Sequence, residues 1–169
     1  FLLIGFILAM LLRMANTTTS LIDVNVRSSE LIAEARLSAN VAARNAQTMV
    51  LFPKMISEAE PEVHAAVATL EKALTELQAI YPLDDNMDDT YVQATQTWKT
   101  ELQNTIDMIH NNQPGKAKIN LEQVCAPALD SMAAAGTTMQ ANLNQVQSTI
   151  VLSQRSNVRI FMIFCVVVI

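Results

Sequence analysis

Three clusters of helix-breaking residues interrupt this chain of 169 residues: Phe52-Pro53-Lys54, Tyr81-Pro82-Leu83-Asp84-Asp85-Asn86 and Asn111-Asn112-Gln113-Pro114-Gly115. Proline removes a backbone donor and clashes with the preceding turn, so each cluster reads as a turn, and three turns separate four helices. The first helix is expected to end near Phe52, the second to span about Ser57 to Ile80, the third about Met87 to Asn111, and the fourth to start near Lys116 and run into the C-terminal tail. Ser57 with Glu60 forms a capping box for the second, and Asp85 or Asn86 can cap the third. Aromatic residues make up only 5% of the chain and there are three glycines. That balance favours helix formers over strand formers, and the expected fold is all-α.

Each expected helix carries an apolar seam in steps of three and four, the spacing that turns one face toward bundle partners. The second reads Val63, Val67, Leu70, Leu74, Leu77, Tyr81, and the third Tyr91, Thr95, Trp98, Leu102, Thr105, Ile109. The fourth reads Leu121, Cys125, Ala128, Met132, Ala135, Met139, Leu143, Val146, Ile150, with one extra four-step that is a stutter. The first has small residues on its seam: Val24, Ser28, Leu31, Ala35, Ser38, Ala42, Asn45, Met49, Phe52. Short turns make neighbouring helices antiparallel, so the expectation is an up-down-up-down four-helix bundle with two long outer helices.

Residues 1–12 and 160–169 are almost wholly apolar. A bilayer span needs about 20 such residues, so each run is half a span. Two truncated transmembrane helices account for both runs; a signal peptide would explain only the first, and lacks a starting Met and a basic leader. The expected division is the end of a first transmembrane helix at 1–13, a ligand-binding bundle at 14–158 and the start of a second transmembrane helix at 159–169. The central part holds all sixteen acidic residues and all but Arg13 and Arg159 of the eleven basic ones. With neither a basic stripe nor stacking aromatics, nucleic acid is excluded as a partner. No phosphate loop, nucleophile elbow or triad is present, and the chain reads as a non-enzyme.

The layout resembles the four-helix-bundle sensor of methyl-accepting chemotaxis receptors. The likeness includes the opening Phe1-Leu2-Leu3-Ile4-Gly5-Phe6, the first-helix stretch from Ala35 through Arg44, and the fourth-helix residues Asn112-Gln113-Pro114-Gly115-Lys116-Ala117 and Val124-Cys125-Ala126-Pro127-Ala128-Leu129-Asp130. The resemblance implies a homodimer in a bacterial inner membrane with a periplasmic sensor. It further implies a small anionic ligand, an organic acid or amino acid, bound near the dimer interface by first-helix arginines and polar groups of the fourth helix. Binding would displace the fourth helix across the membrane toward a cytoplasmic signalling kinase complex. Related modules occur on histidine kinases and cyclases, and a structural two-span protein that binds no small ligand is the alternative from another class.

Arg36, Asn40 and Arg44 follow one another at four-residue steps and share a face. A guanidinium fork donates two parallel hydrogen bonds to a carboxylate, so these residues are the candidate anion grip. Counting inward from Arg13 and Arg159 at equal rise sets Arg44 level with Pro127 and Ala128, and Arg36 level with Gly136 and Thr137. Gln123, Thr137 and Thr138 are then the polar fourth-helix contacts, while Asp130 would oppose an anion. Pro127 cannot donate to the Gln123 carbonyl and is expected to kink the helix. No cofactor or metal is expected. His64 with Glu60 and Glu62 reads as a solvated face, and Asp84, Asp85, Asp88 and Asp89 as helix caps rather than a calcium loop. Cys125 reads as a small buried hydrophobe, with a cross-link between two copies as its alternative.

Overall fold

The computed structural model describes the backbone of residues 2–80 and 86–168, and the side chains of 22–80, 89–149, 151 and 152. Every regular element among them is helical: α1 (Leu2–Leu51), a 3-10 turn (Pro53–Met55), α2 (Ile56–Ile80), α3 (Asn86–His110), α4 (Pro114–Asn120), a π-turn (Leu121–Cys125) and α5 (Ala126–Val168). The last three follow one another without a break in the chain. Tyr81, Asp84 and Asp85 lie outside the described residues, as do the side chains of Asn86, Asp88 and Ile150.

The chain divides into two compact units, one of Phe1–Arg27 with Ala141–Ile169 and one of Ser28–Gln140. In the first, the buried Asn25 amide donates from Nδ2 to the Leu143 carbonyl at 3.3 Å. The expected location in a bacterial inner membrane is corrected: among the described residues, no helix is long and apolar enough to cross a membrane. On the inner side of the terminal apolar runs, Arg13 with the polar stretch Asn16-Thr17-Thr18-Thr19-Ser20 follows the first, and Gln154-Arg155-Ser156-Asn157 precedes the last, which lowers the mean hydropathy of both long helices there.

The second unit is built on seams of period 3.5. On α1, Ser28, Ile32, Ala35, Ala39, Ala42, Ala46 and Met49 are buried at alternating steps of four and three. On α2 the buried set is Ala59, Val63, Ala66, Leu70, Ala73, Leu77, in the same alternation. Val67 and Leu74, expected in that seam, are half-buried, since alanines occupy the inner positions and allow close approach. On α3, Tyr91, Thr95, Trp98, Leu102, Thr105 and Ile106 are buried, and Ile109 is half-buried. α3 packs against α2 on one side and against α4 and the π-turn on another. Fully burying a side chain such as Leu70 or Leu102 contributes about 1.5–3 kcal/mol, so these seams rather than helix propensity hold the unit together.

Helix ends follow local chemistry. α3 stops at a Schellman motif: Asn112 adopts φ 57°, its N–H donates to Ile109 O at 3.0 Å, and Gln113 N–H donates to Met108 O at 2.9 Å. Pro114 then opens α4, where its missing N–H costs nothing. The expected capping box is replaced, because the 3-10 turn runs straight into α2 and leaves Ser57 inside the helix. Glu60 Oε1 instead meets His110 Nε2 at 3.0 Å and His64 Nε2 at 3.6 Å. Lys99 Nζ pairs with Glu71 between α3 and α2.

The expected kink at Pro127 takes a different form. The wide turn Leu121–Cys125 comes just before it, with the Ala126 N–H donating five residues back to Leu121 O. Widening the turn there absorbs the backbone register that a proline in the next turn disturbs.

Candidate functional site

Within the second unit, α1, α3, α4, the π-turn and the start of α5 line a cleft of about 340 Å³. Asn40, Arg44 and Gln47 come from α1, at steps of four and three, so they share its outer face. Asn40 is held by its own helix, its Nδ2 donating to Arg36 O at 2.8 Å. Lys118 comes from α4 on the facing side and has Glu122 of the π-turn 3.9 Å away. Both members of that pair are exposed, so the lysine keeps most of its capacity to meet an anion. Arg44 and Lys118 thus put two cations at one rim.

Below the rim the walls are apolar, with Val50, Leu121 and Leu129, and the floor carries Trp98 and Cys125. Trp98 is 0% exposed, so its indole N–H is sealed from solvent. Burial pushes the Cys125 thiol up to about 11; the Glu101 carboxylate adds to this and a hydrogen bond from the Trp98 indole N–H acts against it.

α4 and the π-turn are held against α3 by Asn120, whose Nδ2 donates to Glu101 O at 3.2 Å and to Thr105 Oγ1 at 3.1 Å. This fixes the height of Lys118 and Cys125 relative to Trp98. Across the unit, Gly136 of α5 lies beside Ile32 of α1 and Tyr91 of α3. Counting from the chain ends pairs Gly136 with Arg36, so the observed pairing is displaced by one helical turn.

Of the residues expected to bind a ligand, the fold brings Asn40 and Arg44 together in the cleft. Arg36 is half-buried two turns away, where its guanidinium acts against the burial that pushes the Tyr91 hydroxyl up to about 12. Gln123 is an exposed residue of the π-turn outside the cleft lining. Thr137 and Thr138 are exposed and donate to their own helix, at Ala133 O (2.9 Å) and Ala134 O (3.1 Å). Asp130 is exposed and also outside the lining. Gln47, Trp98, Lys118, Glu122 and Cys125 are the cleft residues that sequence reasoning did not single out for ligand contact. Gln47 was within reach of it, as the next seam step after Arg44. Among the described residues no group of three or more His, Cys, Asp or Glu side chains is arranged to hold a metal ion. Compared with models of known families, with characterised proteins and with solved structures, the chain matches none.

Proposed function

We propose that this chain is a ligand-sensing module: an antiparallel up-down-up-down four-helix bundle that binds a small organic acid or amino acid in the Arg44 cleft. It acts as a binding protein and not as an enzyme. The observation that carries the reading is the convergence of Arg44 and Lys118 on one cleft whose other walls are largely apolar. Two cations at the rim meet a carboxylate, and apolar walls accept the body of the molecule.

The working unit is a homodimer joined through α1. Beside its buried seam, α1 carries a second row at steps of four and three, Ala33, Leu37, Asn40, Arg44, Gln47, Leu51, all exposed. Leu37 is 67% exposed, an unusual place for a leucine unless a partner covers it. A row of period 3.5 is what a second copy of α1 would pack against, and it places the cleft beside the dimer interface.

Binding produces a signal only if the ligand prefers one helix arrangement over another. The cleft is lined by α1 on one side and by α4, the π-turn and the start of α5 on the other, so ligand contact with both biases their relative position. As in the chemotaxis receptors that the sequence resembles, a displacement of the last helix is the output, and a signalling kinase complex is the downstream partner. A thermal-shift screen with organic acids and amino acids tests the reading. A ligand at a hundred times its dissociation constant adds about 2.7 kcal/mol of stability, whereas a purely structural bundle responds to none.

A further inference from the structure

Resting on that reading of the cleft, we infer that the π-turn Leu121–Cys125 is the element that builds the binding wall: its one extra residue holds Leu121 and Glu122 in the cleft, and a helix without that residue closes the wall. The seam shows the extra residue. Cys125, Met132 and Met139 are buried seven residues apart, whereas Ala117 and Cys125, also buried, are eight apart. Seven residues of an α-helix return to nearly the same face, but eight overshoot it by about 80°. The wide turn, with Ala126 N–H donating five residues back to Leu121 O, takes up the excess, so Ala117 and Cys125 both stay seated.

Neither packing nor anchoring calls for that excess. Upstream, Asn120 is tied to α3 through Glu101 O and Thr105 Oγ1; downstream, Met132 and Met139 are fully buried. A chain one residue shorter would carry the seven-residue step from Ala117 straight to Cys125. Leu121 would then stand four residues after Ala117 and three before Cys125, the spacing of an inward seam position. In the wide turn it stands four from each, is only half-buried and lines the cleft beside the exposed Glu122. Wide turns are rare and occur mostly as single turns inside α-helices, frequently at functional sites. This one supplies the cleft wall that faces Arg44 and Gln47 of α1.

The test is calorimetric titration with a panel of organic acids and amino acids that includes pentanoate, succinate and norvaline. It compares the unmodified chain with a variant lacking Gln123, an exposed residue of the turn outside the cleft lining. The deletion is expected to keep full helicity and to unfold at the same or a higher urea concentration. The acid that the unmodified chain binds best is expected to bind it at least about tenfold more weakly. A merely structural turn gives the reverse, lower stability with affinity kept in the folded fraction. A second variant pairs the deletion with an alanine inserted between Asp130 and Ser131, which keeps the chain length and moves the eight-residue step to Cys125–Met132. It is expected to fold and to lose the same affinity. Undiminished affinity in either folded variant, with binding lost in Arg44→Ala, overturns the inference and leaves the anion site standing. Failure of both variants to fold also overturns it, because the wide turn is then a requirement of the fold. No binding of any member of the panel by the unmodified chain overturns both.

Discussion

A Cβ added to Gly136 would lie 3.0 Å from Cε2 of Tyr91, so the glycine is what lets the tyrosine ring pack against α5. Ile32 Cγ2 stands at 3.5 Å from the same point and closes the other side. Tyr91 is 1% exposed and has little room to retreat. Alanine would gain about 1 kcal/mol of helix propensity, but crowding in a packed core typically costs about 1–3 kcal/mol. Gly136→Ala is therefore expected to lower stability by about 1 kcal/mol in urea unfolding. Combining it with Tyr91→Leu should cost less than the two single changes together.

The C-terminus of α3 gives a change of opposite sign. Asn112 holds φ 57°, a conformation that glycine adopts freely. Asn112→Gly is expected to keep the Schellman motif and raise stability by a few tenths to about 1 kcal/mol, and Asn112→Val to lower it by about 1–2 kcal/mol. Thermal unfolding of the two variants checks both directions.

Alkaline pH should weaken the fold in two steps. Cys125 ionises at 9.0 when unperturbed but near 11 in the native protein, and Tyr91 at 10.0 against about 12. The native state holds these protons after the unfolded chain has released them, so stability falls as pH rises through 9–11 for the thiol and 10–12 for the phenol, and is level below. Urea unfolding across this range should show the later part of the fall removed in Tyr91→Phe and the earlier part in Cys125→Ala.

Much of this was legible in the sequence, and what was not has a physical origin. The positions of the turns are local chemistry, and Pro53, Asn112 and Pro114 act where their backbone preferences place them. The seam of α3 could be read because Tyr91, Trp98 and Leu102 are large. On α2 the inward face turned toward Ala59, Ala66 and Ala73, residues too small to announce themselves as core. In the last helix the expected seam is buried at Cys125, Met132, Met139 and Leu143, while Val146, expected to continue it, is 53% exposed, and Ala117, ahead of it, is buried. Membrane spanning was read from the terminal apolar runs, whereas among the described residues no helix is long and apolar enough to cross a membrane. Asn40 and Arg44 were visible as a face of one helix; Lys118 and Trp98 join them only through the packing of α3, α4 and the π-turn.

In the proposed dimer the outer row of α1 is the interface. Leu37→Asp places a charge at its most exposed apolar position and is expected to weaken self-association at least about tenfold without loss of helicity. Sedimentation equilibrium measures the association, and circular dichroism the helicity.

The central claim is that Arg44 grips an anionic ligand in the cleft that Lys118 and Trp98 also line. Calorimetric titration of the unmodified chain, Arg44→Ala and Arg36→Ala with organic acids and amino acids tests it most directly. Losing a charge-assisted hydrogen bond costs about 1.5–3 kcal/mol, so Arg44→Ala should bind at least about tenfold more weakly, while Arg36→Ala, outside the cleft, keeps its affinity within about twofold. An Arg44→Ala variant that binds the same acid as tightly as the unmodified chain would contradict the account.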